Sequence, residues 1–407
     1  MTAEHGTQRP PVRSSPQADT PRTAPTGVRS AGIDVARAVA VLAMIVLHIL
    51  PPATESGQMA VPWRLSVWNA AALFALISGV SMGLSTGRAP VRGRTWRVAA
   101  VTVLVRAVII GAVGLALGYL MPPDVMRAII VLPFFAVLFV LAIPLLAVPV
   151  RWLIPLAGIL AVGVPLLSHL VRAGMPSPWL VNPTFADLLS RPAHLAGELL
   201  LTGVYPALPY LAYVCVGLAI GRSTLSSPRV QLALVASGIA LAALTGAVSR
   251  LLMDLGGLQA VLNDDAGLAR LVDPVDDLLV WGASGTVPTT SPWWLAVLAP
   301  NSATPFDLLF TIGVSTAIVG ACLMLARRLP RLLSPLATFG SMTLTVYCLH
   351  VALLAAPVMW LVGSTAEFVL NVGVLFAFAL LWRARFERGP LEQVVTSATR
   401  RARSLAG

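Results

Sequence analysis

Ten apolar stretches, most about twenty residues long and nearly free of charge, dominate this 407-residue chain. A spanning helix needs roughly 20 mostly apolar residues, because a rise of about 1.5 Å per residue must cross about 30 Å of hydrocarbon. Inside lipid each backbone polar group needs a partner within the protein, which favours helices over irregular chain. The stretches lie at approximately 31–50, 66–85, 98–120, 127–148, 152–171, 195–220, 230–252, 305–326, 336–360 and 364–383. Pro133 and Pro144 in the fourth, and Pro206 and Pro209 in the sixth, predict kinks or breaks there. The expected fold is therefore all-α: a polytopic membrane helix bundle of ten or eleven transmembrane helices. Charged residues make up only 11% of the chain and its mean hydropathy is +0.84. In a soluble domain about a quarter of residues are charged, so lipid must solvate most of this surface.

Net charge is +11, and every basic residue is an arginine. The arginines cluster between apolar runs instead of lining one soluble face, which argues against nucleic acid and for a membrane topology signal. With the N-terminus in the cytosol and alternating spans, twenty of the 28 arginines fall on the inner side. These include Arg9, Arg13, Arg22 and Arg29 before the first span, Arg88, Arg92, Arg94 and Arg97 after the second, and six from Arg383 to Arg403. Most acidic residues fall outside, among them Asp254, Asp264, Asp265, Asp273, Asp276 and Asp277. Both termini are expected in the cytosol of a cell (plasma or inner) membrane protein.

Residues 1–28 are polar and read as a disordered cytosolic tail with no cleavable signal peptide. Residues 29–384 form the membrane-embedded unit, and 385–407 a basic cytosolic C-terminal tail. Cys215, Cys322 and Cys348 all lie in apolar stretches without metal spacing, so neither a disulfide nor a bound metal is expected. The long segment 253–304 reads either as a solvated loop with Trp293 and Trp294 at the lipid interface, or as a lid over an outward acceptor site.

Charged groups inside a span are costly and mark functional sites. The first span carries Asp34, Arg37 and His48. Asp34 and Arg37, three apart, share a face and can pair. His48 lies eleven positions after Arg37, which returns to within about 20° of the same face at an axial distance of ~16 Å. The plainer alternative is an interfacial ion pair with a snorkelling Arg37. In the ninth span Thr343, Tyr347 and His350 share one face, and His350 is expected at a depth comparable with His48. Ser341, Thr343 and Thr345 read more simply as packing contacts. Ser78-Gly79-Val80-Ser81 in the second span is a small-residue stretch that allows close helix approach.

Arginine, ten residues, then histidine on the first span resembles the signature of the transmembrane acyltransferase superfamily. The closer resemblance is to the YeiB-like branch related to heparan-α-glucosaminide N-acetyltransferase. It runs through Gly32-Ile33-Asp34-Val35-Ala36-Arg37, Leu73-Phe74 to Ser78-Gly79, Leu201 to Pro206 and Gly217 to Arg222. It continues through Thr304-Pro305-Phe306-Asp307, Gly340 to Tyr347 and Gly389-Pro390-Leu391-Glu392. Asn301 stands where histidine is frequent in that branch, and Ala38 where glycine often follows the arginine. The resemblance implies an enzyme that takes acetyl-CoA from the cytosol as donor and acylates a hydroxyl or amine of a glycan or lipid-linked acceptor beyond the membrane. On this reading His48 is catalytic, with Asp34, Arg37 and His350 beside it. Arg37, Arg88, Arg92, Arg94, Arg97, Ser78 and Tyr347 would hold the CoA thioester. The partners are then the lipid bilayer, the donor and the acceptor, with a homodimer as one assembly and no nucleic acid. Two other classes use the same residues: a transporter with Asp34, Arg37, His48 and His350 as a proton or substrate path, and a non-catalytic envelope scaffold.

Overall fold

The computed structural model describes residue 2 and residues 27–406, apart from 69, 176–178, 272–273, 284 and 358–362. The expected tail 1–28 lies almost wholly outside the described residues, with Arg9, Arg13 and Arg22; so does Asp273. Among the described residues the only β pairing is one bridge, Ala53 with Met59. The helices are α1 (Gly27–Ile49), α2 (Val61–Ser66), α3 (Ala70–Thr86), α4 (Gly93–Gly118), α5 (Leu132–Ala142) and α6 (Val150–Val171). Then come α7 (Phe185–Ser190), α8 (Pro192–Gly197), α9 (Ala207–Gly221), α10 (Pro228–Leu252), α11 (Leu258–Leu262), α12 (Asp265–Leu268) and α13 (Val275–Trp281). The last are α14 (Pro305–Arg328), α15 (Ser334–Ser341), α16 (Thr343–Ala355), α17 (Ser364–Arg383) and α18 (Pro390–Ala406).

Among the described residues seven segments are long and apolar enough to cross a bilayer, and up to nine are if two bent helix pairs each count as one span. The protein is a multi-pass membrane protein. Leu104 and Val108 on α4, Ile159 and Leu170 on α6, Ile239 and Leu244 on α10, and Val369 and Leu381 on α17 are exposed, as lipid-facing side chains must be. The expected fourth span, 127–148, provides only the 11-residue α5 and a 3₁₀ turn at Pro144–Ala147. Its first residues stay out of the helix because other groups take their amides: Ile130 N–H donates to Asn182 Oδ1 (2.6 Å) and Val131 N–H to the Tyr347 hydroxyl (3.2 Å).

The sixth expected span breaks at Gly203–Pro206, where the helices on either side bend by 49°. The ninth breaks more sharply, by 79° between α15 and α16, where hydropathy alone predicts one continuous helix. The cause lies far along the chain. Glu392 of α18 accepts from the Leu344 and Thr345 amides (2.7 and 3.1 Å) and from the Thr345 hydroxyl (2.6 Å). A carboxylate at these free amides stabilises a new helix N-terminus. The depth of His350 is therefore set from Thr343, ~10 Å along α16, and not from residue 336.

The innermost packing is between α3 and α9. A side chain on Gly217 would overlap the Leu76 carbonyl oxygen, and one on Gly79 the carbonyl of Val214. Two backbones this close leave no room for a Cβ, which is how small residues join helices in lipid. The basic segment after 384 includes α18, which packs on α4 with Val395 and Thr399 buried and with Arg403 Nε donating to the Thr102 hydroxyl (2.9 Å).

Segment 253–304 folds around its own small core of Val261, Leu278, Val287, Trp294 and Val297. Trp294 is fully buried there, so it does not face lipid. Its indole N–H donates to the Asp264 carboxylate (2.7 Å), which also accepts from the Thr290 hydroxyl and the Gly267 amide. These bonds hold the Asp264 carboxyl below the ordinary aspartate range, with the Thr290 hydroxyl the largest cause. A depressed folded value means that Asp264 stabilises the segment above pH ~4 and stops doing so as pH falls through the folded value. Tryptophan fluorescence is expected to report loosening of this segment in acid, and Asp264→Ala is expected to show the same loosening already at pH 7. Equal acid response in both proteins would contradict this.

Candidate active site

The first helix carries its polar residues because neighbouring helices answer each of them. Arg37 donates to Asp34 at 2.5 Å and, with its other amino group, to the Ser81 hydroxyl of α3 at 2.6 Å. Ser81 passes its own proton to the Ile77 carbonyl, so it can accept from Arg37. The guanidinium is thus held by one charged and one neutral acceptor, and it keeps a quarter of its side-chain surface open (28%). That surface belongs to a cavity of about 710 Å³.

The cavity lining is partly charged and partly apolar. Arg37, Arg106, Arg383 and Arg388 line it together with Asp34, Glu387 and Glu392, while Phe74, Ile110, Leu132, Phe135 and Phe139 form the apolar walls. Ser78 and Tyr347 also line it. Arg106, on α4, makes no hydrogen bond or ion pair among the described residues, so its donors are free for a ligand. Four other expected donor contacts lie elsewhere. Arg88 bonds the Thr224 hydroxyl (2.9 Å), Arg92 precedes α4, Arg97 is exposed, and Arg94 shares a second cavity of about 560 Å³ with Arg403.

Tyr347 lines the large cavity, and His350 follows one turn later on α16. There the two histidines meet: His48 Nδ1 and His350 Nε2 are 3.0 Å apart, with ring planes within 8°. His350 Nδ1 lies 2.9 Å from the Asn371 side-chain oxygen. Both His350 and Asn371 are completely buried, whereas His48 is half-buried. One turn before Asn371, Glu367 forms a bidentate pair with Arg127 (2.7 and 2.8 Å). Glu367, Asn371, Leu375 and Ala379 are spaced by four and form the buried stripe of α17.

Asn371, Glu367, Arg127, Arg106 and Glu392 were all missed as site residues from the sequence. The signal for the first two was present, since polar groups four apart in an apolar helix mark an interior face. For Arg106 it was an unpaired charge within a span. Nothing local marks the role of Glu392 at α16, because its partners are 47 and 48 residues away.

The arrangement places a cationic pocket and an imidazole pair at the two ends of one helix. Cationic donors bind phosphate or carboxylate groups; an imidazole moves protons or attacks carbonyls near neutral pH. The family model described as heparan-alpha-glucosaminide N-acetyltransferase, catalytic, matches residues 29–253. That range takes in Asp34, Arg37, His48, Ser81 and Arg106, while His350 and Asn371 lie beyond it. No curated protein matches the chain. Since the match covers more than half of the sequence and includes the polar first helix around which the site is built, the chain belongs to the heparan-alpha-glucosaminide N-acetyltransferase catalytic family.

Proposed function

We propose that the protein transfers an acetyl group from cytosolic acetyl-CoA to a hydroxyl or amine of a glycan or lipid-linked acceptor on the far side of the membrane. One observation carries this reading: a single helix holds Arg37 in a charged cavity at one end and His48 in a histidine pair at the other. Their axial separation of ~16 Å is of the order of an extended pantetheine arm. Phosphates at the Arg37 end would therefore leave the thioester near His48. The arginine bias supports an Arg37 end and both chain termini on the cytosolic side of the cell membrane.

The chemistry follows from the imidazole. His48 takes the proton of the acceptor O–H or N–H as that atom attacks the thioester carbonyl. The C–S bond breaks, and the proton returns from His48 to the departing thiolate, giving free CoA and the acylated acceptor. The acceptor approaches from the His48 end. Segment 253–304 borders that end through Trp281, whose ring meets Trp63 edge-on at 6.4 Å, while Trp63 donates to the Leu50 carbonyl (2.9 Å).

Donor binding tests this directly. CoA and acetyl-CoA are expected to raise the melting temperature of the purified protein in a saturable way. Arg106→Gln is expected to weaken that binding by roughly 10- to 100-fold, the loss of one or two charge-assisted hydrogen bonds. Saturable uptake of a solute in vesicles with no response to CoA would instead establish a transporter.

A further inference from the structure

The histidine pair ends on an amide, and the amide determines where the protons sit. Asn371 presents its oxygen to His350 Nδ1 at 2.9 Å, and its buried Nδ2 has no hydrogen-bond partner. An amide oxygen only accepts, so His350 must carry its proton on Nδ1. A neutral imidazole has one N–H, which leaves His350 Nε2 as an acceptor. The 3.0 Å contact then needs a donor on the other side, and that donor is His48 Nδ1. The one ring nitrogen left is His48 Nε2, which bears a lone pair and has no partner among the described residues.

We infer that Asn371 is a positioning residue: through the buried His350 it fixes the tautomer of His48, so that Nε2 is the basic atom offered to substrate. When Nε2 takes up a proton, His48 becomes an imidazolium that still donates from Nδ1. Its Nδ1 proton can also pass to His350 Nε2, giving a second form in which every bond of the chain is kept. Cost-free sharing of this kind requires that Asn371 never competes as a donor. Two features hold the Asn371 side chain in place beside His350. Asn371 is completely buried on α17, and one turn away the bidentate Glu367–Arg127 pair fastens the same helix face to the residues preceding α5.

The kinetic consequence rests on the acyl-transfer reading, but the tautomer does not, and the experiment separates the two. Protein labelled with ¹⁵N-histidine is reconstituted in nanodiscs, and the ring nitrogens of His48 and His350 are assigned with single His→Gln variants. Protonated and bare nitrogens have widely different ¹⁵N shifts. Wild type is expected to show a proton on Nδ1 and a bare Nε2 in both rings. Asn371→Leu is expected to mix the tautomers of His48 and to lower kcat at least tenfold with little change in KM for acetyl-CoA. Asn371→Asp, which keeps an acceptor oxygen, is expected to restore the bare Nε2 signature and recover part of the rate.

A wild-type His48 protonated on Nε2 would mean that the amide is turned with Nδ2 towards His350, and would overturn the inference. An unchanged spectrum in Asn371→Leu would also overturn it. If that variant does not fold, the wild-type and Asn371→Asp spectra still decide the question. If the stated tautomers are found but no acetyl transfer occurs, the positioning role stands and the acyltransferase reading falls.

Discussion

His48→Ala is expected to lower acetyl transfer by about 10²- to 10⁴-fold, the usual worth of a positioned general base. Donor binding should survive, because His48 does not line the cavity that holds the cationic groups. The measurement is transfer from labelled acetyl-CoA in membranes or nanodiscs, beside a thermal shift with CoA on the same preparation. Loss of turnover with intact CoA binding is the pattern of a group that acts only in the chemical step. Transfer retained in the variant would remove His48 from the mechanism. His350→Gln is expected to fall between wild type and His48→Ala, since it loses the inner acceptor while leaving the outer ring in place.

The second large effect concerns stability. Glu367 is 4% exposed at its side chain and makes both of its short bonds to Arg127, whose side chain is 25% exposed. Among the described residues Glu367→Leu leaves the Arg127 guanidinium with one weak contact, to the Leu354 carbonyl at 3.5 Å. Removing one partner of a buried pair typically costs about 3–5 kcal/mol, chiefly the penalty of the charge left behind. Removing both partners often costs far less. The double variant Arg127→Leu/Glu367→Leu is therefore expected to unfold at higher denaturant than Glu367→Leu alone. Unfolding of the purified protein in mixed micelles would measure both changes. Equal loss in the single and double variants would show that the pair matters only as packing volume.

The first-helix site was legible early because a helix has a fixed period. Asp34, Arg37 and His48 fall on one face by arithmetic alone, and a charged group in an apolar run announces itself. Ser78 enters from the small-residue stretch of the second span and the resemblance, Tyr347 from the polar face of the ninth span, and both line the cavity. The arginines from 88 to 97 were chosen for their charge and their side of the membrane, which says nothing about which cavity they face. Arg106 and Arg383 enter that cavity instead, because the directions of α4 and α17 aim them inward. The ninth span was read as continuous since Ser341-Met342-Thr343 contains no proline or glycine to mark a break. The break is made by Glu392, which supplies the free amides of α16 with a carboxylate.

What the sequence determined by itself is local and periodic: an all-helical membrane bundle, the prolines that interrupt it, and the polar face of its first helix. These follow from hydropathy over about twenty residues and from the 3.6-residue turn. The tertiary structure decided which helices are neighbours. It set His48 against His350, closed that pair on Asn371, braced it with Arg127 and Glu367, and buried Trp294 in a separate small core. No periodicity contains that information, because lipid-facing and protein-facing apolar surfaces have the same composition. Only the packing of α1, α16 and α17 side by side makes two histidines and an amide, distant in the chain, into one line of hydrogen bonds.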